Sequence, residues 1–267
     1  MKQVVTGPIA EAENALMWQA FSLMLVVVVP VILLTLFVAW RYRAAGGQGA
    51  YKPDWDRSRI IEITVWGIPI VMIGILATWV WDRTHALDPY KQLPGAEPLR
   101  IEAIALDWKW LFIYPDLNIA TVNQVAFPVE QPLSFRITSE VAMNSFMIPA
   151  LGGQIYAMAG METQLNLQAN EIGAMQGRNM QFSGDGFSDQ TFEALSMSQI
   201  DFEAWVNKVR SGDSALDQAS FAELSKPSID APIAYFSTVP QDFFSRRVAH
   251  FMGMEHEHAG HSDGGDK

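Results

Sequence analysis

The side chains able to do chemistry in this sequence are few, and the missing ones narrow the field as much as those present. No cysteine occurs in the 267 residues, which excludes thiolate nucleophiles, disulfides, iron–sulfur clusters and cysteine-ligated zinc. Of the five histidines, His85 stands alone, and a lone histidine without partner spacing reads as a surface residue. His250, His256, His258 and His261 fall at the C-terminal end. His256 and His258, two apart in a Gly-rich acidic stretch, have the composition of an adventitious metal binder, but a tail without fixed geometry is the expectation and no metal is assigned. No Ser/His/Asp arrangement and no acid–base pair marks a hydrolase. Glu62 differs from all of these. It is an ionisable group at the edge of a long apolar run, where burial is costly unless the group is solvated or paired. Such a position is a candidate functional site by default; the competing reading is a helix-end carboxylate facing water or pairing with Arg59.

The elements around Glu62 are membrane spans. No charge intervenes between Glu13 and Arg41, nor between Glu62 and Asp82. A helix of about 20 apolar residues crosses the roughly 30 Å hydrocarbon layer, so spans are expected at about 18–41 and 62–81. Trp66, Trp79 and Trp81 serve the second as interfacial anchors, and Pro30 and Pro69 lie where neighbouring helices can re-satisfy the freed carbonyls. The first apolar run is too long for a cleaved signal peptide, and no small-residue cleavage pattern follows it. Between the spans lie Arg41, Arg43, Lys52, Arg57 and Arg59, against Lys2 alone before the first. The loop is therefore expected on the cytoplasmic side and both termini outside.

Net charge is −11, but the halves differ: residues 82–267 hold 12 of the 18 basic and 24 of the 29 acidic residues. An acidic outer part without a basic stripe argues against nucleic acid as a partner. From Leu99 the pattern becomes short alternating or β-branched runs broken by Pro, Gly and Asn, as in an all-β sandwich. After Ser198, "DFEAWVNKVRSG" and "DQASFAELS" carry apolar residues three and four apart, each after an Asp, and predict two short amphipathic helices. The aromatic residues Phe202, Trp205, Phe221, Tyr235, Phe236, Phe243 and Phe244 are expected to dock this segment onto the sandwich, and Trp110 and Tyr114 to belong to one of its strands. The polar tail from Gly253 is expected to lack order.

Two segments, "DWKWLFIYPDLNIATVNQVAFP" (107–128) and "MNSFMIPALGGQIYAMAGM" (143–161), resemble subunit II of haem–copper respiratory oxidases, in wording the bo-type ubiquinol-oxidising branch, and the likeness covers most of the chain. The resemblance implies an α+β membrane protein. Its parts would be a two-helix transmembrane hairpin (1–90), an all-β cupredoxin-like sandwich (91–197), an aromatic-rich C-terminal segment with short helices (198–250) and a flexible tail (251–267). In the cytochrome c branch the sandwich holds a dinuclear copper centre with soft sulfur ligands. Here the matching loop reads "GRNMQFSGDGFSDQ". Asn179 and Ser183 stand at the bridging-cysteine positions with Gln181 between them, Phe187 at a histidine, Gln190 at the methionine, and Asn144 at the other histidine. The resemblance therefore implies a lost copper site, no electron entry from cytochrome c, and Trp108 as a former electron-entry position retained for packing.

By the same resemblance, Glu62 is a candidate for the entrance of a proton-uptake channel. The haems, copper and quinone are expected in subunit I, with none bound by this chain. Subunits I, III and IV and membrane lipid are the expected partners, quinol is reached through subunit I, and the location is a bacterial inner membrane. Related subunits commonly carry a signal peptide and a lipid-modified cysteine ahead of the first span, so either the start lies upstream of "MKQVVTGPIAEAENALMW" or the anchor is lacking. Two alternatives stay open: a cytochrome c oxidase subunit, and a membrane-tethered binding or assembly protein that uses the sandwich for recognition.

Overall fold

A computed structural model describes residues 7–43 and 56–261, with side chains to Met252. The chain divides into two compact units, Ala12–Asp88 on one hand and Met1–Glu11 with Pro89–Lys267 on the other.

The first unit is a pair of helices, α1 (Pro8–Arg41) and α2 (Arg59–Ala86). Both run beyond the expected apolar cores, and both are apolar enough to span a membrane. Their apolar residues cover every face, as a lipid-embedded helix requires and an amphipathic surface helix does not. The hydroxyls within the spans are satisfied locally: Ser22, Thr35, Thr64 and Thr78 each donate to the carbonyl four residues earlier, at 2.7–2.8 Å. Water is not needed to solvate them.

The second unit is a two-sheet sandwich. Its strands are β1 (Leu99–Leu106), β2 (Lys109–Tyr114), β3 (Ile119–Val122), β4 (Gln124–Pro128), β5 (Leu133–Ser139), β6 (Asn144–Ile148), β7 (Gly152–Ala157), β8 (Thr163–Leu167), β9 (Gly173–Asn179), β10 (Thr191–Met197) and β11 (Ala234–Phe236). One sheet has the order β11-β3-β2-β1-β5-β8 and the other β4-β10-β9-β6-β7. The pairs β1/β5 and β4/β10 are parallel and the remaining neighbours antiparallel. Between the sheets lies an aromatic core. Phe146 stacks on Phe192 at 5.1 Å and meets Trp110 and Phe135, each at 5.2 Å. Tyr114 closes this core by donating its hydroxyl to Ala126 O and accepting from Ala126 N, both at 2.8 Å, while burial pushes its phenol pKa up.

The six-stranded sheet is covered on its other face too. Ile104, Leu106, Leu111 and Ile113 pack against Phe221, Phe236, Phe244 and Val248 of the C-terminal segment. A strand buried on both faces cannot alternate, and β2, "KWLFIY", is buried throughout. The covering segment comprises α3 (Gln199–Arg210), α4 (Gln218–Leu224), β11 and α5 (Phe243–His261). The two predicted amphipathic helices are α3 and α4. Ser198, rather than an Asp, caps α3 by accepting from Asp201 N, whereas Asp217 caps α4 in a reciprocal pair with Ser220. Phe202, Trp205, Phe221, Phe236 and Phe244 are buried, with Tyr235 and Phe243 packed alongside.

Two features depart from the expectations. Residues 7–11, grouped with the hairpin by sequence, pack on the sandwich: Ala10 N donates to Leu151 O at 3.2 Å. A Cβ on Gly7 would lie 2.6 Å from Gln168 O, so only glycine permits this approach. The second departure is α5, whose backbone is helical to His261 where an unordered tail was expected from residue 253. The segment after Pro240 holds no proline, and its inner face, Phe244, Val248 and Phe251, follows helical spacing. Side chains after Met252, including those of His256, His258 and His261, and residues 262–267 lie outside the described residues.

Candidate functional site

Asn144 opens β6, Asn179 ends β9, and Ser183 and Gln190 lie on the loop from β9 to β10. The folding of that loop brings these four together. Asn179 N donates to Gln190 O at 3.0 Å, and Met180 N to Ser145 O at 3.1 Å, so the loop is clamped at both shoulders by main chain. Inside the clamp, Asn179 Nδ2 donates towards Asn144 Oδ1 at 2.7 Å, Gln190 Oε1 at 2.9 Å and Ser183 Oγ at 3.1 Å. Ser183 Oγ donates to Gln190 Oε1 at 3.2 Å. Asn179 Oδ1 accepts from Ser145 N at 2.8 Å and Gln181 N at 2.9 Å. At the margins, Asn144 Nδ2 reaches Ala142 O at 2.7 Å and Ser139 Oγ at 3.3 Å, and Gln190 Nε2 reaches Leu106 O at 3.4 Å.

This cluster is buried: Asn144 is 0%, Gln190 1% and Asn179 3% exposed. Its donors and acceptors balance, since two amide hydrogens of Asn179 and one serine hydroxyl serve the oxygens of Asn144, Gln190 and Ser183. All its members are neutral. A dinuclear copper centre needs thiolate, thioether and imidazole donors, and a saturated amide cluster offers none, so these residues do not fit one. Among the described residues no group of three or more His, Cys, Asp or Glu could hold a metal.

The other named positions lie at the rim. Gln181 contributes its backbone N–H, and the Phe187 ring packs at 5.7 Å on Phe182. Trp108 occupies the turn between β1 and β2 at φ 60°, a left-handed conformation rare for a bulky residue. Its indole Nε1 donates to Ser183 O at 3.1 Å. The ring lies flat on Gly186, where a Cβ would come within 2.4 Å of Trp108 Cδ2. The turn's strain is thus held by a side chain locked onto the same loop that carries Ser183 and Gln190.

Glu62 is separate from this cluster. It sits in the first turn of α2, 51% exposed at its side chain, with its carboxylate 3.5 Å from Arg57 Nε. The ion-pair partner is therefore Arg57, not Arg59. His85 Nδ1 donates to Trp81 O at 2.8 Å, and the ring lies beside that of Trp81. Sequence reading missed Ser139 and Ser145, whose parts depend on the β5–β6 turn and on cross-strand register and leave no motif.

Two helices long and apolar enough to span a membrane, followed by a two-sheet sandwich whose β9–β10 loop closes on a buried neutral cluster, define the class: a sandwich domain carried on membrane-spanning helices. Residues 210–255 match the family model for the COX aromatic rich motif. The chain is 47% identical over 262 residues to the cytochrome bo(3) ubiquinol oxidase subunit 2 of Pseudomonas aeruginosa, covering 95% of this chain and 79% of that one. It is likewise 47% identical to the ubiquinol oxidase subunit 2 of Acetobacter aceti, covering 92% and 80%. The solved periplasmic domain of subunit II of cytochrome oxidase from Bradyrhizobium japonicum matches at 21% identity and a TM-score of 0.41, over 43% of this chain and 94% of that domain. The chain belongs to the ubiquinol oxidase subunit 2 family. It is thus a subunit of an oxidoreductase complex, and the relatives favour this over a tethered binding module.

Proposed function

We propose that this chain is the subunit without a redox centre in a proton-translocating oxidase that reduces oxygen to water with ubiquinol. The amide cluster carries the proposal: with no soft donor within it, electrons cannot enter through this chain, and a lipid-soluble reductant must reach haems and copper held by the catalytic subunit I. The chain then braces that subunit beside the membrane and shields its outer face, with subunits III and IV completing the complex. A sealed interface matters because each charge moved across the membrane stores about 2.3 kcal/mol per 100 mV. The start of α1 and the sandwich share a side of a bacterial inner membrane, the periplasmic one. Support comes from the docking of residues 7–11 on the sandwich and from the basic residues between the spans. Glu62, at the cytoplasmic end of α2, feeds protons towards subunit I.

The test is oxygen uptake by the complex purified through a tag on this chain. Haem-containing material active with ubiquinol and inert with reduced cytochrome c supports the reading; turnover with cytochrome c, or haem-free inactive material, overturns it. Glu62→Gln separates the proton role: fewer protons translocated per oxygen at unchanged complex yield is expected, and unaltered translocation removes Glu62 from the path.

A further inference from the structure

The C-terminal segment does not lie flush on the six-stranded sheet everywhere. Between the sheet and the stretch that joins α4 to β11 there is a cavity of about 540 Å3. Val122, Ala234 and Phe236 line it from the strands, and Leu224, Pro227 and Pro232 from the covering segment. The two prolines have no N–H to offer, so the walls are mainly apolar. Two charged residues of the lining, Glu223 and Lys226, pair with each other. The volume lies within the range of small-molecule sites, about 300–1,000 Å3, which join apolar walls to a few placed polar groups.

Lys109 is such a group. It belongs to the same lining and is 1% exposed. Trp110 beside it on β2 points into the aromatic core, so alternation turns Lys109 towards the covering segment. There Nζ donates to Leu224 O at 2.8 Å and Lys226 O at 2.6 Å. An ammonium carries three donors, and among the described residues the third has no partner and no carboxylate forms an ion pair with Lys109. Asp107 acts on it electrostatically without pairing. A buried charge without a counter-ion is costly. One anionic head would supply both the third acceptor and the missing charge, in a charge-assisted hydrogen bond. A single spare donor on a single charge matches a carboxylate; a phosphate monoester, with a charge of about −1.5 to −2, would bring an excess of its own into an apolar cavity.

We propose that this cavity binds a monocarboxylate with a short unbranched alkyl chain, its head on the Lys109 ammonium and its chain along Val122, Ala234 and Phe236. Binding is reversible and involves no electron transfer, so it is independent of the oxidase reaction.

The probe is octanoate, titrated by calorimetry into the full chain held in a lipid nanodisc, with empty nanodiscs as the blank. Hexanoate, two CH2 groups shorter, should bind about fifteenfold more weakly at roughly 0.8 kcal/mol per buried CH2. Octanamide, with the same chain and a neutral head, should bind at least about tenfold more weakly than octanoate. Lys109→Met should weaken octanoate by a similar factor while leaving octanamide as it was, a split that local damage to α4 would not produce. Ala234→Phe leaves both Lys109 hydrogen bonds in place and fills the cavity, so it should abolish binding of either probe with circular dichroism unchanged. The proposal is overturned if octanoate does not bind or binds no better than octanamide. It is also overturned if Lys109→Met leaves octanoate unaffected or weakens octanamide equally, or if Ala234→Phe binds as the wild type does.

Discussion

Replacing Asn179 with Ala tests whether the amide cluster holds the β9–β10 loop. The side chain accepts from two backbone N–H groups, Ser145 at 2.8 Å and Gln181 at 2.9 Å, and supplies the donor for Asn144 Oδ1 at 2.7 Å. Gln190 Oε1 keeps the Ser183 hydroxyl at 3.2 Å, so it is discounted. Three groups lose their partner, and a buried polar group left unsatisfied costs about 1–3 kcal/mol. The Gln181 amide lies nearest solvent and belongs at the low end, which brings the expected cost to about 4 kcal/mol. A sandwich of this size loses roughly 2–4 °C of Tm per kcal/mol, or about 8–16 °C in all.

The assay is thermal unfolding of the full chain in detergent followed by near-ultraviolet circular dichroism, which reports packed aromatics. Asn179→Asp sharpens the result. It keeps the acceptor for both N–H groups but turns a carboxylate oxygen towards the oxygens of Asn144, Gln190 and Ser183. Its folded-state pKa must rise above the unfolded one, so its stability is present at low pH and lost as pH climbs through the folded value. The Asp variant should therefore recover on acidification where the Ala variant does not. A loss under about 3 °C for Asn179→Ala, or pH-independent behaviour of Asn179→Asp, would refute the claim that these hydrogen bonds hold the loop.

Three further outcomes follow from the same packing. Gly186→Ala puts a Cβ 2.4 Å from Trp108 Cδ2, at a backbone φ of −91° that any residue tolerates. It should lift the indole off the loop and red-shift its fluorescence, measured in a chain whose other tryptophans are left in place as an unchanging background. Lys109, 1% exposed, donates Nζ to Leu224 O at 2.8 Å and Lys226 O at 2.6 Å, and burial lowers its pKa against the pull of Asp107. Lys109→Met should free the end of α4 at a cost of about 2–3 kcal/mol and speed proteolysis near residue 226. Burial raises the pKa of Glu102 above 4.5, with Arg136 opposing. A carboxyl raised in the folded state adds stability as it protonates, so the sandwich's Tm should gain a component as pH falls from neutral towards 4.5, and Glu102→Gln should remove that component.

The two long apolar helices were legible because lipid imposes a simple rule: long uncharged runs bounded by charges. The helices α3 and α4 were legible from their apolar spacing. Residues 7–11 were not, since docking on Leu151 and Gln168 depends on a surface built more than a hundred residues later. Nor was α5, whose inner face is sparse and whose end is polar. At the candidate site the positions Asn144, Asn179, Ser183 and Gln190 were found through the resemblance, but nothing in their spacing says that they bond to one another. The part of Ser145 follows from strand register, which sequence fixes only once pairing is known.

That the site is filled by amides rather than by apolar side chains has a local cause. The backbone N–H groups of Ser145 and Gln181 converge on one point inside the loop, and whatever residue stands at 179 must accept from both or leave them orphaned. A thiolate meets that demand, and so does the carbonyl of an asparagine; a leucine or valine does not. Once an amide supplies the acceptor, its NH2 needs acceptors of its own, which Asn144 and Gln190 provide. Gln190 in turn is tied to the loop through its own main chain, which accepts from Asn179 N. The polar character of the cluster thus propagates outward from two N–H groups, one directed by strand β6 and the other by the loop between β9 and β10. The loop keeps its form provided that position 179 keeps an acceptor.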